Sequence, residues 1–157
     1  MTPKSAFNLA WLALSFVAIE IGLAGHRPEI NLSDSLPDLI YLLDVGTPFE
    51  KGDLVQFPVP PGVPDPAFNK DFVKKIVGVA GDEVERRDGV VFVGGAEVGR
   101  LQETTKQGRP LTPGPIGLIP PGFVFVQGLS ERSYDSRYMD VGLIPVGRIL
   151  GRVRVLL

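Results

Sequence analysis

Two stretches of this chain carry side chains that together make a nucleophile and its base. In Asn31-Leu32-Ser33-Asp34-Ser35-Leu36-Pro37 two serines stand two residues apart, so in extended backbone both hydroxyls point the same way. One can attack a carbonyl while the other helps hold the oxyanion. Pro37 stiffens the stretch and withholds a backbone donor from any ladder. Local chemistry alone reads the same residues as a polar turn. In Asp71–Val79 (DFVKKIVGV) two lysines sit inside an apolar, β-branched run. A lysine serves as general base only if its pKa falls from about 10.4 to about 7–8, which takes about 4 kcal/mol of differential desolvation. An apolar strand entering a core supplies that setting. Strict alternation puts Phe72, Lys74, Ile76 and Gly78 on one face and Val73, Lys75 and Val77 on the other. Periodicity leaves open which lysine points inward, and by itself the pair reads as solubilising charge on an edge strand.

The rest of the composition narrows the chemistry. The 157 residues contain no cysteine and one histidine, His26, which excludes thiolate catalysis, disulfides, Cys-based zinc sites and multi-His metal sites. No metal or organic cofactor is expected. Nothing in the sequence gives His26 an orienting acid, and it reads as an interfacial residue; a serine activated here takes a lysine as its base. A net charge of −2 without a basic cluster argues against nucleic acid as a partner.

The elements that must position these residues are mostly strands. Nineteen Gly and fifteen Pro make about a fifth of the chain, against about 12% in average proteins. With many short Val/Ile/Phe runs, that favours β structure with loops. Strands are expected over Asp53–Phe57, Asp71–Val79, Val90–Val93, Phe123–Gln127 and Arg148–Leu157. Asp88-Gly89 and Gly94-Gly95 are hairpin dipeptides flanking Val90–Val93. Arg27–Asp38 reads as an extended loop or edge, 58–66 (PVPPGVPDP) as a Pro-rich surface loop, and 103–121 as a polar excursion. The expected fold is mainly β, a coiled antiparallel sheet or partly closed barrel.

Ahead of it, Phe7–Ala24 is an eighteen-residue run broken only by Asn8, Ser15 and Glu20. As a helix it would be about 27 Å long, close to the hydrocarbon thickness of a bilayer. Lys4 before it favours a cytoplasmic N-terminus, while Gly22-Leu23-Ala24 also fits a secretory cleavage site. Residues 1–26 are thus read as a membrane anchor or signal segment and 27–157 as the catalytic domain. A core helix is the remaining alternative, against which the polar residues form no stripe.

Three blocks, in order, resemble the type I signal peptidases. Ser33-Asp34-Ser35-Leu36-Pro37 is similar to the family's nucleophile box, and 74–82 (KKIVGVAGD) to its lysine box, commonly K-R-x-V-G-x-P-G-D. Gly128 to Arg137, ending Ser133-Tyr134-Asp135-Ser136-Arg137 and followed by Tyr138, resembles its last box, S-x-D-S-R and an aromatic. The resemblance implies Ser35 as nucleophile and Lys74, the first lysine of the box, as general base. It implies Ser33 in the oxyanion hole and Ser133 as hydrogen-bond partner of the lysine. It implies Asp135 as a catalytic residue beside Ser35 and Lys74, supporting the site by pairing with Arg137 or a neighbouring basic group. Asn31-x-Ser33-x-Ser35-x-Pro37 followed by Tyr41 looks like the TraF-type conjugation branch, which processes pilin precursors and in some members cyclises them. That branch implies a membrane-inserted pilin or preprotein as substrate, membrane lipid as the surroundings, and a periplasmic catalytic domain at the bacterial inner membrane. Asp38-Leu39-Ile40 before Tyr41, Ala80 in the lysine box, and Met139-Asp140-Val141-Gly142 after Tyr138 depart from the family pattern. The first two put substrate identity in doubt more than the chemistry. A non-catalytic envelope scaffold of the same fold is the reading from another class.

Overall fold

The computed structural model describes residues 25–30, 40–63, 71–105 and 107–156. Ser33 and Ser35, and the apolar run 7–24, lie outside the described residues. Eleven strands account for the regular structure described: β1 (His26–Ile30), β2 (Ile40–Val45), β3 (Leu54–Phe57), β4 (Phe72–Gly78), β5 (Glu83–Arg87), β6 (Val90–Val93), β7 (Ala96–Arg100), β8 (Gly117–Leu118), β9 (Phe123–Gln127), β10 (Ile144–Pro145) and β11 (Gly151–Val155). One 3-10 turn, Val146–Arg148, precedes β11. No helix among the described residues is long and apolar enough to cross a membrane.

The strands form two antiparallel sheets, one of seven in the order β1-β2-β11-β3-β4-β9-β10 and one of four in the order β7-β6-β5-β8. Neither closes on itself, so the architecture is an open coiled-sheet arrangement rather than a barrel. The hairpin dipeptides act as their chemistry dictates. Asp88 and Gly89 (φ 51° and 76°) and Gly94 and Gly95 (φ 58° and 79°) hold the double positive-φ geometry of tight hairpins, whose twist matches that of the flanking strands. They tie β5, β6 and β7 into a meander.

The large sheet is apolar where it carries β3, β4 and β9. On one face Val55, Phe57, Phe72, Ile76 and Val126 form a cluster, with Phe57 and Phe72 edge to face at 6.1 Å. The other face packs Phe125 against Val84, Val91, Val93 and Ile119 of the small sheet and its connection. A third cluster, Tyr41, Leu43, Val73 and Val153, lies across β2, β4 and β11. Directly paired residues share a face, and the register defines one row across five strands: His26 opposite Asp44, Asp44 opposite Arg152, Arg152 opposite Val55, and Val55 opposite Lys74. The catalytic-lysine candidate therefore ends a row that begins with charged residues and passes through the core.

The strands expected at 90–93 and 123–127 are present with those bounds, and the expected 148–157 strand is shortened by the 3-10 turn. The edge reading of Arg27–Asp38 holds for β1, the outermost strand of its sheet. The 103–121 excursion is not featureless, since it carries β8 and two isolated bridges, Thr104 to Pro110 and Pro113 to Tyr138.

Candidate active site

Lys74 enters the interior from the middle of β4 and is only 3% exposed, whereas Lys75 is exposed. Register decides this. Lys74 shares its face with Phe72, Ile76 and Val55, all buried, and its Nζ lies 5.0 Å from the Phe72 ring centroid. Its one hydrogen-bond partner given by the described residues is the Ser133 hydroxyl, Nζ to Oγ 2.8 Å. Burial removes water from the ammonium and pushes the lysine pKa down to about 8; the Asp135 charge works against that fall and the Arg137 charge adds to it. A base near that value is neutral in a useful fraction of molecules around neutral pH, while its conjugate acid still protonates a leaving amine.

Ser133 is held in place by the segment that follows β9. A turn closes from the Ser133 amide to the Ser130 carbonyl at 2.9 Å. The next residues run back along β9, where Ser136 both donates its amide to the Val126 carbonyl (3.1 Å) and accepts the Val126 amide on its hydroxyl (3.0 Å). Asp135 is fully buried and accepts from four donors: the Gly128 amide at 3.0 Å, the Arg137 amide at 3.2 Å, and Arg137 Nε and Nη2 at 2.8 and 2.9 Å. A buried carboxylate survives desolvation only with such complete pairing.

Arg137, 2% exposed, spends its remaining donors on backbone carbonyls, Glu131 at 3.1 Å, Ser133 at 3.2 Å and Arg100 at 3.1 Å. Burial works against its charge, but Asp135 more than offsets this and the guanidinium is held protonated. The pair thus fixes the turn carrying Ser133 and ties it to β7 of the small sheet. Gln127 makes a second tie by donating to the Val98 carbonyl.

The structure therefore brings Lys74, Ser133, Asp135 and Arg137 together, residues that sequence spacing places up to 63 positions apart. It also assigns work to residues that sequence reasoning passed over. Gly128 leaves the space in which Ser133 meets the amine: a Cβ there would collide with the Ser133 side chain and lie 3.2 Å from Lys74 Nζ. Ser136 stitches the segment to β9, and the Tyr138 hydroxyl accepts the Gln102 amide at 3.0 Å. Gly128 and Ser136 fall within the last box, which was the signal available. His26 is a correction. It does have an acid partner, Asp44, with Nδ1 to Oδ1 2.6 Å, but that carboxylate also receives Arg154 Nε and Nη2 at 2.6 and 2.9 Å. In the sheet order His26 lies four strands and Asp44 three strands away from Lys74. Among the described residues no group of His, Asp or Glu is arranged to hold a metal ion.

The described residues thus hold a buried lysine on a β-strand, its amine lodged against a serine hydroxyl beside a buried Asp–Arg pair, an arrangement suited to a general base. The chain belongs to the signal peptidase family, peptidase S26, whose model matches residues 5–157. It is 29% identical over 164 residues to conjugal transfer protein TraF of Agrobacterium fabrum, covering 94% of this chain and 90% of that protein. It is 35% identical over 146 residues to the probable conjugal transfer protein TraF of Sinorhizobium fredii, covering 81% and 74%. Similarity to signal peptidase I of Bacillus licheniformis is 33% over 112 residues, or 66% of this chain and 56% of that protein. The chain aligns with a crystal structure of signal peptidase I from Enterococcus faecalis at a TM-score of 0.41 and 23% identity, over 72% of this chain and 99% of the other. Family membership makes the chain a serine endopeptidase that acts on a precursor protein in association with a membrane.

Proposed function

We propose that the chain is a membrane-anchored Ser-Lys endopeptidase that cleaves a membrane-inserted precursor, a conjugative pilin, with residues 1–26 as anchor or signal segment and 27–157 as the catalytic domain. The observation that carries this reading is Lys74, buried, hydrogen-bonded to Ser133, and lowered to about 8. Nothing in an inert scaffold requires an amine to be held at that cost in solvation. In the proposed cycle neutral Lys74 takes the Ser35 proton as the hydroxyl oxygen attacks the scissile carbonyl. The oxyanion rests on the Ser35 amide and the Ser33 hydroxyl. Protonated Lys74 gives its proton to the leaving amine as the peptide bond breaks, and an acyl-enzyme remains. Water then hydrolyses the ester; in a cyclising member the substrate's own N-terminal amine attacks instead, aided by proximity. Ser133 orients the amine, while Asp135 and Arg137 brace Ser133. No metal or cofactor takes part.

The conjugative substrate is supported by how fully the TraF relatives are spanned, 90% and 74% of their length, whereas the chain spans about half of the signal peptidases it matches. The test is mass spectrometry of a co-expressed membrane pilin precursor with wild type, Ser35→Ala and Lys74→Ala. A shortened product with wild type alone is expected, and a further loss of one water marks cyclisation. Equal cleavage by either variant refutes the dyad. A secretory preprotein cleaved in preference to the pilin moves the substrate to general secretion.

A further inference from the structure

The row that ends at Lys74 contains an arginine with no counter-ion among the described residues. Arg152 faces the same side of the large sheet as Lys74, two strands away through Val55, so their Cα atoms are about 10 Å apart at ordinary strand spacing. Its neighbour in the row, Asp44, is the acid that would ordinarily neutralise it. That carboxylate is saturated from elsewhere: His26 Nδ1 at 2.6 Å, and Arg154 bidentate at 2.6 and 2.9 Å. Asp44 is buried (3% exposed) beneath those partners. Arg152 makes no hydrogen bond or ion pair to any described residue, and its Nε is shut off from solvent with no acceptor. A guanidinium N–H that is neither hydrated nor paired is costly and rarely left so. The two terminal nitrogens are not shut off in that way, and the end of a planar guanidinium is shaped for a carboxylate, which it can receive through two parallel N–H···O bonds.

We propose that Arg152 is a substrate-recognition residue that takes a carboxylate of the precursor about three residues from the scissile bond. The spacing follows from geometry. An extended peptide advances about 3.3 Å per residue, so three residues span the separation between the Lys74 and Arg152 positions. The inference rests on the peptidase reading, and its chemistry is an acidic side chain, or a terminal carboxylate, on the polypeptide. Arg154 does not compete for it, because Asp44 already holds its fork.

The experiment separates recognition from cleavage. The full chain carrying Ser35→Ala is held in detergent micelles and titrated with short blocked peptides having an Ala-x-Ala centre. A single Asp, or its Asn counterpart, is walked through the positions on either side, and binding is read by fluorescence anisotropy. One Asp position is expected to bind about 10- to 100-fold more tightly than its Asn counterpart, as suits a hydrogen bond to a charged group. Adding Arg152→Gln brings that ratio to near one, and Arg152→Lys, which keeps the charge but not the fork, restores part of it. Thermal melting of each variant confirms that it is folded. Equal binding of Asp and Asn peptides at every position overturns the inference, as does a preference that survives Arg152→Gln. Absence of binding by any peptide, with precursor cleavage by wild type intact, overturns it too. An Arg152-dependent response to phosphatidylglycerol vesicles but not to acidic peptides assigns the fork to a lipid headgroup and likewise overturns it. Failure of the peptidase reading shows separately, as wild type leaving the co-expressed precursor uncut.

Discussion

Replacing Lys74 by methionine removes the charge while keeping the length and apolar stem of the side chain, and it is expected to abolish cleavage while stabilising the fold. The magnitude follows from the burial of the amine. Its pKa falls from 10.5 to about 8, and at 1.36 kcal/mol per pH unit that difference costs about 3 kcal/mol. Unfolding returns the amine to water and to its ordinary pKa, so the unfolded chain holds the proton more tightly. The penalty is therefore fully present below about pH 8 and fades as the pH rises toward 10.5. Methionine escapes it but forfeits the hydrogen bond to Ser133, worth about 1 kcal/mol. The net gain at neutral pH is about 2 kcal/mol, which for a chain of this size raises Tm by about 4–8 °C. The assay is thermal melting of wild type and Lys74→Met in the same micelles, at pH 7 and near pH 10, beside the cleavage assay. Cleavage falls by at least about 100-fold, the loss expected for a general base, and the Tm gap narrows at high pH. A variant that melts at or below wild type at pH 7, or a gap that ignores pH, refutes the claim that the amine is held at a cost in solvation.

The neighbouring residues give two further outcomes. Gly128→Ala drives a Cβ into the Ser133 side chain and pushes the hydroxyl off the amine; precursor cleavage drops by about 100-fold, with about 1–3 kcal/mol lost in urea unfolding from overpacking. Asp135→Asn strips Arg137 of its buried counter-ion and costs about 3–5 kcal/mol in the same unfolding experiment. Because the Asp135 charge favours the protonated amine, its removal also lowers the Lys74 pKa further, and the rising limb of kcat/KM against pH moves below about 8.

Much of the fold was legible because local chemistry determines it. Asp88-Gly89 and Gly94-Gly95 specify tight turns through their tolerance of positive φ. Val90–Val93 and Phe123–Gln127 are strands with the expected bounds, since β-branched and aromatic runs between turn signals have few other outcomes. The short strands β8 and β10, and the fold of 103–121, were not legible, because two-residue pairings carry no periodic signal.

For the site, the residue types and the order of three boxes in the chain named the candidates. An alternating strand, however, offers two faces and does not say which is buried. Only the pairing of Val55 with Lys74, over a cluster of Phe57, Phe72 and Ile76, turned Lys74 inward and left Lys75 in water. Residues far apart in sequence meet only when the whole chain closes. That closure sets Ser133 against an amine 59 positions earlier, ties Arg137 to Arg100, and gives Asp44 to His26 and to Arg154, 110 positions later. By leaving Arg152 without that acid, the tertiary structure also decided which arginine stands ready for a partner outside the chain.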